Sequence, residues 1–106
     1  MSQTHDLKCW PHYFKVILDG DKPFELRRND RDFHAGDRVR LREYVPPEPG
    51  IAEGYYTGRE ITADVPYVLF RAEGLAEGFA LLTIVPHLDA AMPARGAAMP
   101  EPGERA

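Results

Sequence analysis

Gly20-Asp21-Lys22-Pro23-Phe24-Glu25-Leu26-Arg27, running on through Arg28-Asn29-Asp30-Arg31-Asp32-Phe33, is the stretch on which the fold turns. Gly20 is a helix-ending residue, and Phe24 to Arg27 alternate apolar and charged side chains. In a strand, alternate side chains take opposite faces, so Glu25 and Arg27 share one face and Phe24 and Leu26 the other. One face is expected to anchor in a core, with the apolar pair the natural anchor. The opposite face then offers a carboxylate beside a guanidinium, and Lys22 stands at the mouth of the strand. Ordinary surface strands rarely need that arrangement.

Toward the N-terminus, His5 to Cys9 reads as a short strand with Leu7 and Cys9 pointing one way. Pro11 sits where a helix starts, a position that tolerates a missing N–H. Phe14, Ile17 and Leu18 fall at i, i+3 and i+4, the spacing of a buried helical stripe, and Gly20 closes the helix. A helix of about nine residues is marginal alone, so it must lean on a sheet.

Toward the C-terminus, the strand at 23–29 gives way to a turn from Asn29 to Asp37, tightened by Ala35-Gly36-Asp37. Residues 38–45 alternate, with Val39 and Leu41 inward and Arg38, Arg40 and Arg42 outward. Pro46, Pro47, Pro49, Gly50, Gly54 and Gly58 then mark a connection that cannot be helical. Strand character resumes over 59–70, with Ile61, Ala63, Val65 and Tyr67 expected on one face. Pro66 inside that run demands an edge or a bulge. A Gly-bounded loop at 71–78 leads to a mostly buried final strand at 79–85.

The fold class expected is therefore mainly β with one or two short helices (α+β), a small barrel of about five strands with the helix between the first two. Residues 1–87 form the domain. Residues 88–106 repeat Ala-Ala-Met-Pro at 90–93 and 97–100 without any helical or strand period, and are expected to be a disordered, low-complexity tail.

Composition narrows the function. A chain of 106 residues is one small domain. Its only cysteine, Cys9, excludes an internal disulfide and a multi-cysteine zinc site, and points to a reducing, cytoplasmic compartment. No apolar run approaches a membrane span, and the first residues lack signal-peptide order. A cytoplasmic monomer without a membrane partner is the expectation. The net charge of −4 argues against non-specific binding of a long polyanion. Residues 21–42 nevertheless hold seven basic and five acidic side chains, leaving +2 there and −6 elsewhere. Such a patch suits a small anionic ligand or a short nucleic-acid segment. It also fits a solvated arginine-rich strand face.

Gly20, Lys22, Glu25 and Arg27 form a Gly-x-Lys-x-x-Glu-x-Arg pattern that resembles the signature of the ASCH superfamily. The closer likeness is to a short branch, frequent in phage and prophage genomes, known only as a domain of unknown function. It is carried by His5-x-Leu7-Lys8, Tyr13-Phe14, Glu25-x-Arg27-x-Asn29-Asp30-Arg31, Gly36-Asp37 and Glu43-Tyr44. Tyr56-Thr57-Gly58-Arg59 and Gly74-Leu75-x-x-Gly78 continue it, so that it covers roughly residues 5–85. The resemblance implies a PUA-like β-barrel that binds RNA or a modified nucleotide. Two positions depart from the pattern. Pro23 follows the motif lysine where a hydroxyl residue is usual, removing an N–H and holding Lys22 extended. One ASCH branch hydrolyses the amide of acetylated cytidine with a motif lysine and threonine and a later glutamate; here Lys22 matches, but Glu25 stands at the threonine's place.

The candidate ligand-binding residues are Lys22, Glu25, Arg27, Arg28, Asn29, Arg31, Tyr56 and Arg59. Arg27 and Lys22 can grip a phosphate or carbonyl while Glu25 accepts from a base edge or exocyclic amine. The plain alternative is a surface salt bridge. Arg38, Arg40 and Arg42 lie on the neighbouring strand, and Tyr44, Tyr55 and Tyr56 near its end. Cations with interleaved aromatics suit single-stranded nucleic acid, although the tyrosines also fit plain packing at strand ends. Asn29-Asp30-Arg31 equally fits a turn held by Asx hydrogen bonds. Cys9 and His12 have a Cys-x-x-His spacing with no second pair, so neither metal nor cofactor is expected. Cys9 reads as a small buried residue and Trp10 as core or barrel lid. The leading expectation is a non-enzymatic module. A small amidohydrolase acting on a modified nucleoside through Lys22 and Glu25, and a phage-derived protein-interaction adaptor, are its rivals.

Overall fold

A computed structural model of the chain describes residues 2–88. The expected tail lies outside the described residues except for Leu88, which packs partly against the core. Strand β1 (Thr4–Cys9) buries His5, Leu7 and Cys9 and exposes the residues between them. Helix α1 (Pro11–Leu18) follows with Pro11 in its first turn and Phe14 and Ile17 buried. Eight residues cannot sustain a helix by propensity, so this apolar face holds it in place.

The helix ends in a Schellman turn. Gly20 N–H donates to the Ile17 carbonyl (3.0 Å) and Asp21 N–H to the Val16 carbonyl (3.0 Å). Gly20 has φ +84°, a left-handed conformation that glycine adopts without a Cβ penalty. Lys22 N–H reaches the Val16 carbonyl as well (3.2 Å), so the helix end fixes where Lys22 emerges.

The remaining strands are β2 (Phe24–Arg28), β3 (Arg38–Val45), β4 (Tyr55–Asp64), β5 (Val68–Phe70), β6 (Phe79–Thr83) and β7 (Val85–Pro86). They form a four-stranded sheet in the order β1-β3-β4-β7 and a three-stranded sheet in the order β2-β6-β5. β1 runs parallel to β3, and the other pairs are antiparallel. Among the described residues the architecture is mainly β, with α1 its one complete helix. Val39, Leu41, Ile61 and Ala63 of the larger sheet, Ala80 and Leu82 of the smaller and Phe14 and Ile17 of α1 meet in one core. Among the described residues no helix is long and apolar enough to cross a membrane.

Several expectations change here. The described residues contain seven strands where the sequence pattern marks about five. The run at 59–70 splits, because Pro66 lies in the break between β4 and β5. β4 also starts earlier, at Tyr55. Tyr67 falls past that break and is exposed, off the face shared by Ile61, Ala63 and Val65.

The largest change concerns β2, whose faces are inverted. Glu25 is 4% exposed, whereas Phe24 is 41% and Leu26 54% exposed. Residues directly opposite in an antiparallel pair share a face. Glu25 is opposite Leu82 and Arg27 opposite Ala80, both wholly buried, so the charged side of β2 is the inner side.

Candidate functional site

Among the described residues β1 pairs only with β3 and β2 only with β6, so each presents an edge with no described strand against it. Side chains tie these two edges together. Arg31 donates to the Asp6 carbonyl of β1 (2.7 Å), and the Arg27 guanidinium donates to the Lys8 carbonyl two residues on. A cleft of about 620 Å³ opens beside this seam. Lys8, Cys9 and Trp10 line one wall, β2 lines the other, and Tyr13 and Lys22 close it from the two ends of α1.

Glu25 is the centre of the cleft's electrostatics. Its Oε1 accepts from Lys22 Nζ (2.6 Å) and its Oε2 from Arg27 Nε (3.0 Å). Lys22 donates to the Phe24 carbonyl as well (2.9 Å), and its ammonium lies 5.4 Å from the Tyr13 ring and 5.2 Å from the Phe24 ring. An ionised carboxylate offers about four lone-pair sites. Two are taken, so Glu25 can still accept from a group inside the cleft. Burial of the pair weakens solvent screening relative to a surface salt bridge.

Cys9 sits between two buried carboxylates. Burial pushes its thiol up to about 12, and Glu25 and Glu43 add to the shift while Arg27 and Lys22 oppose it. The thiol is therefore protonated at neutral pH and is no nucleophile. Glu43 pairs across the ladder with Cys9 and is itself buried. Thr57 Oγ1 (2.7 Å) and Arg59 Nε (2.9 Å) both donate to Glu43 Oε1, and Arg59 lies over the Phe14 ring at 5.0 Å. A bulge produces this convergence: Arg42 pairs with Glu60 and Tyr44 with Tyr56, so Thr57, Gly58 and Arg59 together oppose Glu43. Gly58 accommodates the extra chain with φ +99°.

Of the residues read from the sequence, Lys22, Glu25, Arg27 and Arg28 line the cleft. Asn29 does not: its Oδ1 accepts from Phe33 N–H four residues on (3.0 Å), so its side chain holds the turn. Arg31 caps the β1 edge through the Asp6 carbonyl, and Arg59 serves Glu43. Tyr56 lies against Tyr44 (5.0 Å, edge to face) on β4, away from the cleft lining. Trp10 is no core residue; it is 52% exposed at the cleft. The arginines of β3 are largely offset by acids. Arg40 makes a two-point pair with Asp6 (2.9 and 2.7 Å), and Arg38 bonds Asp64 (3.0 Å). Lys8 and Arg28, by contrast, make no ion pair among the described residues, and their charges contact rings of Tyr44 and Phe79. Lys8, Cys9, Trp10, Tyr13, Phe24 and Leu26 also line the cleft, and none of them is among the candidate ligand-binding residues read from the sequence. Lys8 is detectable as an outward position of β1, but nothing local says that β2 lies opposite it. Among the described residues no cluster of three or more His, Cys, Asp or Glu side chains could hold a metal ion.

Two sheets bridged by arginine side chains, with an open cleft around a buried carboxylate beside the seam and one short helix at its end, define a small mainly-β domain. The chain belongs to the family described as domain of unknown function DUF3850, whose pattern matches residues 4–84. It is also similar to the "Uncharacterized 12.9 kDa protein in GpA 3'region" of Escherichia phage P2, with 34% identity over 65 residues. That match spans 61% of this chain and 53% of the phage protein, about half the relative's length.

Proposed function

We propose that the domain is a non-enzymatic binding module of ASCH, PUA-like type, and that its cleft takes a nucleobase of RNA or of a modified nucleotide. The observation that carries the reading is Glu25, buried yet lining an open cleft, with acceptor capacity left after Lys22 and Arg27 are served. A carboxylate held this way suits the exocyclic amine of a base. Trp10, Tyr13 and Phe24 supply ring surfaces for the base, and Lys8 and Arg28 are the cations open to a phosphate, one on each wall. All of these residues come from a single chain. The passage of the backbone from β6 through buried Ile84 into β7 joins the two sheets at one corner, which fits a barrel of the resembled type.

Binding is favoured over catalysis by the state of the candidate groups. Lys22 is engaged by two acceptors, the Cys9 thiol is held protonated, and no hydroxyl stands at Glu25's position. The test is equilibrium binding of nucleotides and short single-stranded RNA, alongside chromatography of acylated nucleosides incubated with the protein. Binding without turnover supports the module; turnover abolished by Glu25→Gln supports the amidohydrolase instead.

A further inference from the structure

Lys8 belongs to two surfaces at once. It lines the cleft, and its ammonium lies 4.3 Å from the centre of the Tyr44 ring on the outer face of the four-stranded sheet. Ladder register makes this a continuous strip: Lys8 is opposite Arg42, and Tyr44 is opposite Tyr56. The Arg42 guanidinium stacks over the Tyr56 ring at 4.0 Å, and the two tyrosine rings meet edge to face at 5.0 Å. Gly54 makes the packing possible. A Cβ there would overlap the Tyr44 ring and come within 2.7 Å of the Val45 carbonyl oxygen.

We propose that this strip is a second nucleotide subsite, so that the ligand of the cleft is a base within a single strand whose neighbour stacks on the Arg42–Tyr56 pair, with the intervening phosphate at Lys8. The inference rests on the nucleobase reading of the cleft and adds a position to it. Each element has a physical role. An exposed tyrosine ring or a guanidinium plane stacks any base without regard to sequence. Lys8 makes no ion pair among the described residues, whereas Arg42 approaches Glu60 (3.9 Å), so Lys8 is the cation open to a phosphate. The acids on this face, Asp6, Glu60 and Asp64, are each met by Arg40, Arg42 or Arg38. That pairing limits the repulsion a phosphodiester would meet.

The experiment compares CMP, AMP and GMP with trinucleotides carrying the same base between two uridines, in ribose and deoxyribose forms, by calorimetry. Wild-type protein should bind the best trinucleotide at least about tenfold tighter than the matching monophosphate. Tyr56→Ala should cost the trinucleotide about 5- to 150-fold and leave the monophosphate unchanged. Tyr56→Phe, which keeps the ring, should behave as wild type. Equal affinity for the two ligands, or equal losses on Tyr56→Ala, overturns the second subsite while the cleft reading stands. Failure of every monophosphate and trinucleotide to bind overturns both. The ribose and deoxyribose arms show whether the strand is RNA or DNA.

Discussion

The guanidinium of Arg27 reaches from β2 across the open seam and donates to the backbone carbonyl of Lys8 on β1. Among the described residues, arginine side chains rather than backbone pairing join these two edges, and the cleft occupies the space that remains. The same guanidinium holds Glu25, so the joint between the sheets and the polar centre of the cleft share one residue.

Arg27→Ala should therefore weaken both fold and site. It removes the Glu25 contact and the bridge to β1 together, and the expected loss is about 2–3 kcal/mol in urea unfolding. Arg27→Lys should recover little of it, because an ammonium cannot make both contacts with the planar spacing of a guanidinium. Full recovery by lysine would show that charge alone is what the seam needs.

Glu25→Ala leaves Lys22 and Arg27 facing one another beside the cleft without their acceptor. A destabilisation of about 2–4 kcal/mol is expected, larger than for a surface pair. The double change Glu25→Ala with Lys22→Met should be less damaging than the sum of the single changes, since it removes an orphaned charge along with its partner. Strict additivity would mean that the two groups do not interact in solution.

Cys9 gives a pH-dependent test. Its folded thiol is raised from 9.0 to about 12, first by burial and then by Glu25. A raised acid contributes stability fully present below about pH 9 and lost as pH climbs toward 12. Alkaline unfolding should begin in that window and retreat in Cys9→Ala, provided Cys9→Ala remains folded at pH 7. Thiol reagents at pH 8 should label native protein at least about a hundredfold more slowly than urea-unfolded protein.

Asp37 governs the acid side. Burial alone would raise its carboxyl, but the His5 side chain and the His34 and Gln3 amides together hold it below the usual carboxylate range. A depressed carboxyl contributes stability above its unfolded pKa that is lost as pH falls. Stability should therefore drop below about pH 4, and Asp37→Asn should flatten that limb in thermal melts at pH 3 and 6. An unchanged acid limb would assign the loss to Asp6 and Asp64, which are also held low, first by their hydrogen bonds with Arg40 and His87 respectively.

Much of this scaffold is legible in the sequence because one-sided burial leaves a period. Val39 and Leu41 on β3, and Phe14 and Ile17 on α1, announce their faces, and Gly20 marks the helix end. β2 shows where that logic stops. Alternation separates Glu25 from Phe24, but it does not say which face turns inward; that depends on Leu82 and Ala80 far along the chain. Glu43 lies on the inward parity of Val39 and Leu41, yet its partners Thr57 and Arg59 arrive only through a bulge. The basic character of β3 was visible. Its neutralisation by Asp6, Asp64 and Glu60 depended on pairing that no local pattern contains.

The most direct measurement is calorimetric titration of wild-type and Glu25→Gln protein with CMP and UMP, nucleotides whose bases carry an exocyclic amine and a carbonyl, respectively, at C4. Glutamine keeps the size of the side chain and removes its charge. Wild-type protein should prefer CMP over UMP by about tenfold or more, and Glu25→Gln should lose most of that preference. Equal binding of CMP and UMP by wild-type protein, or a preference that survives Glu25→Gln, would contradict Glu25 as the group that reads the base.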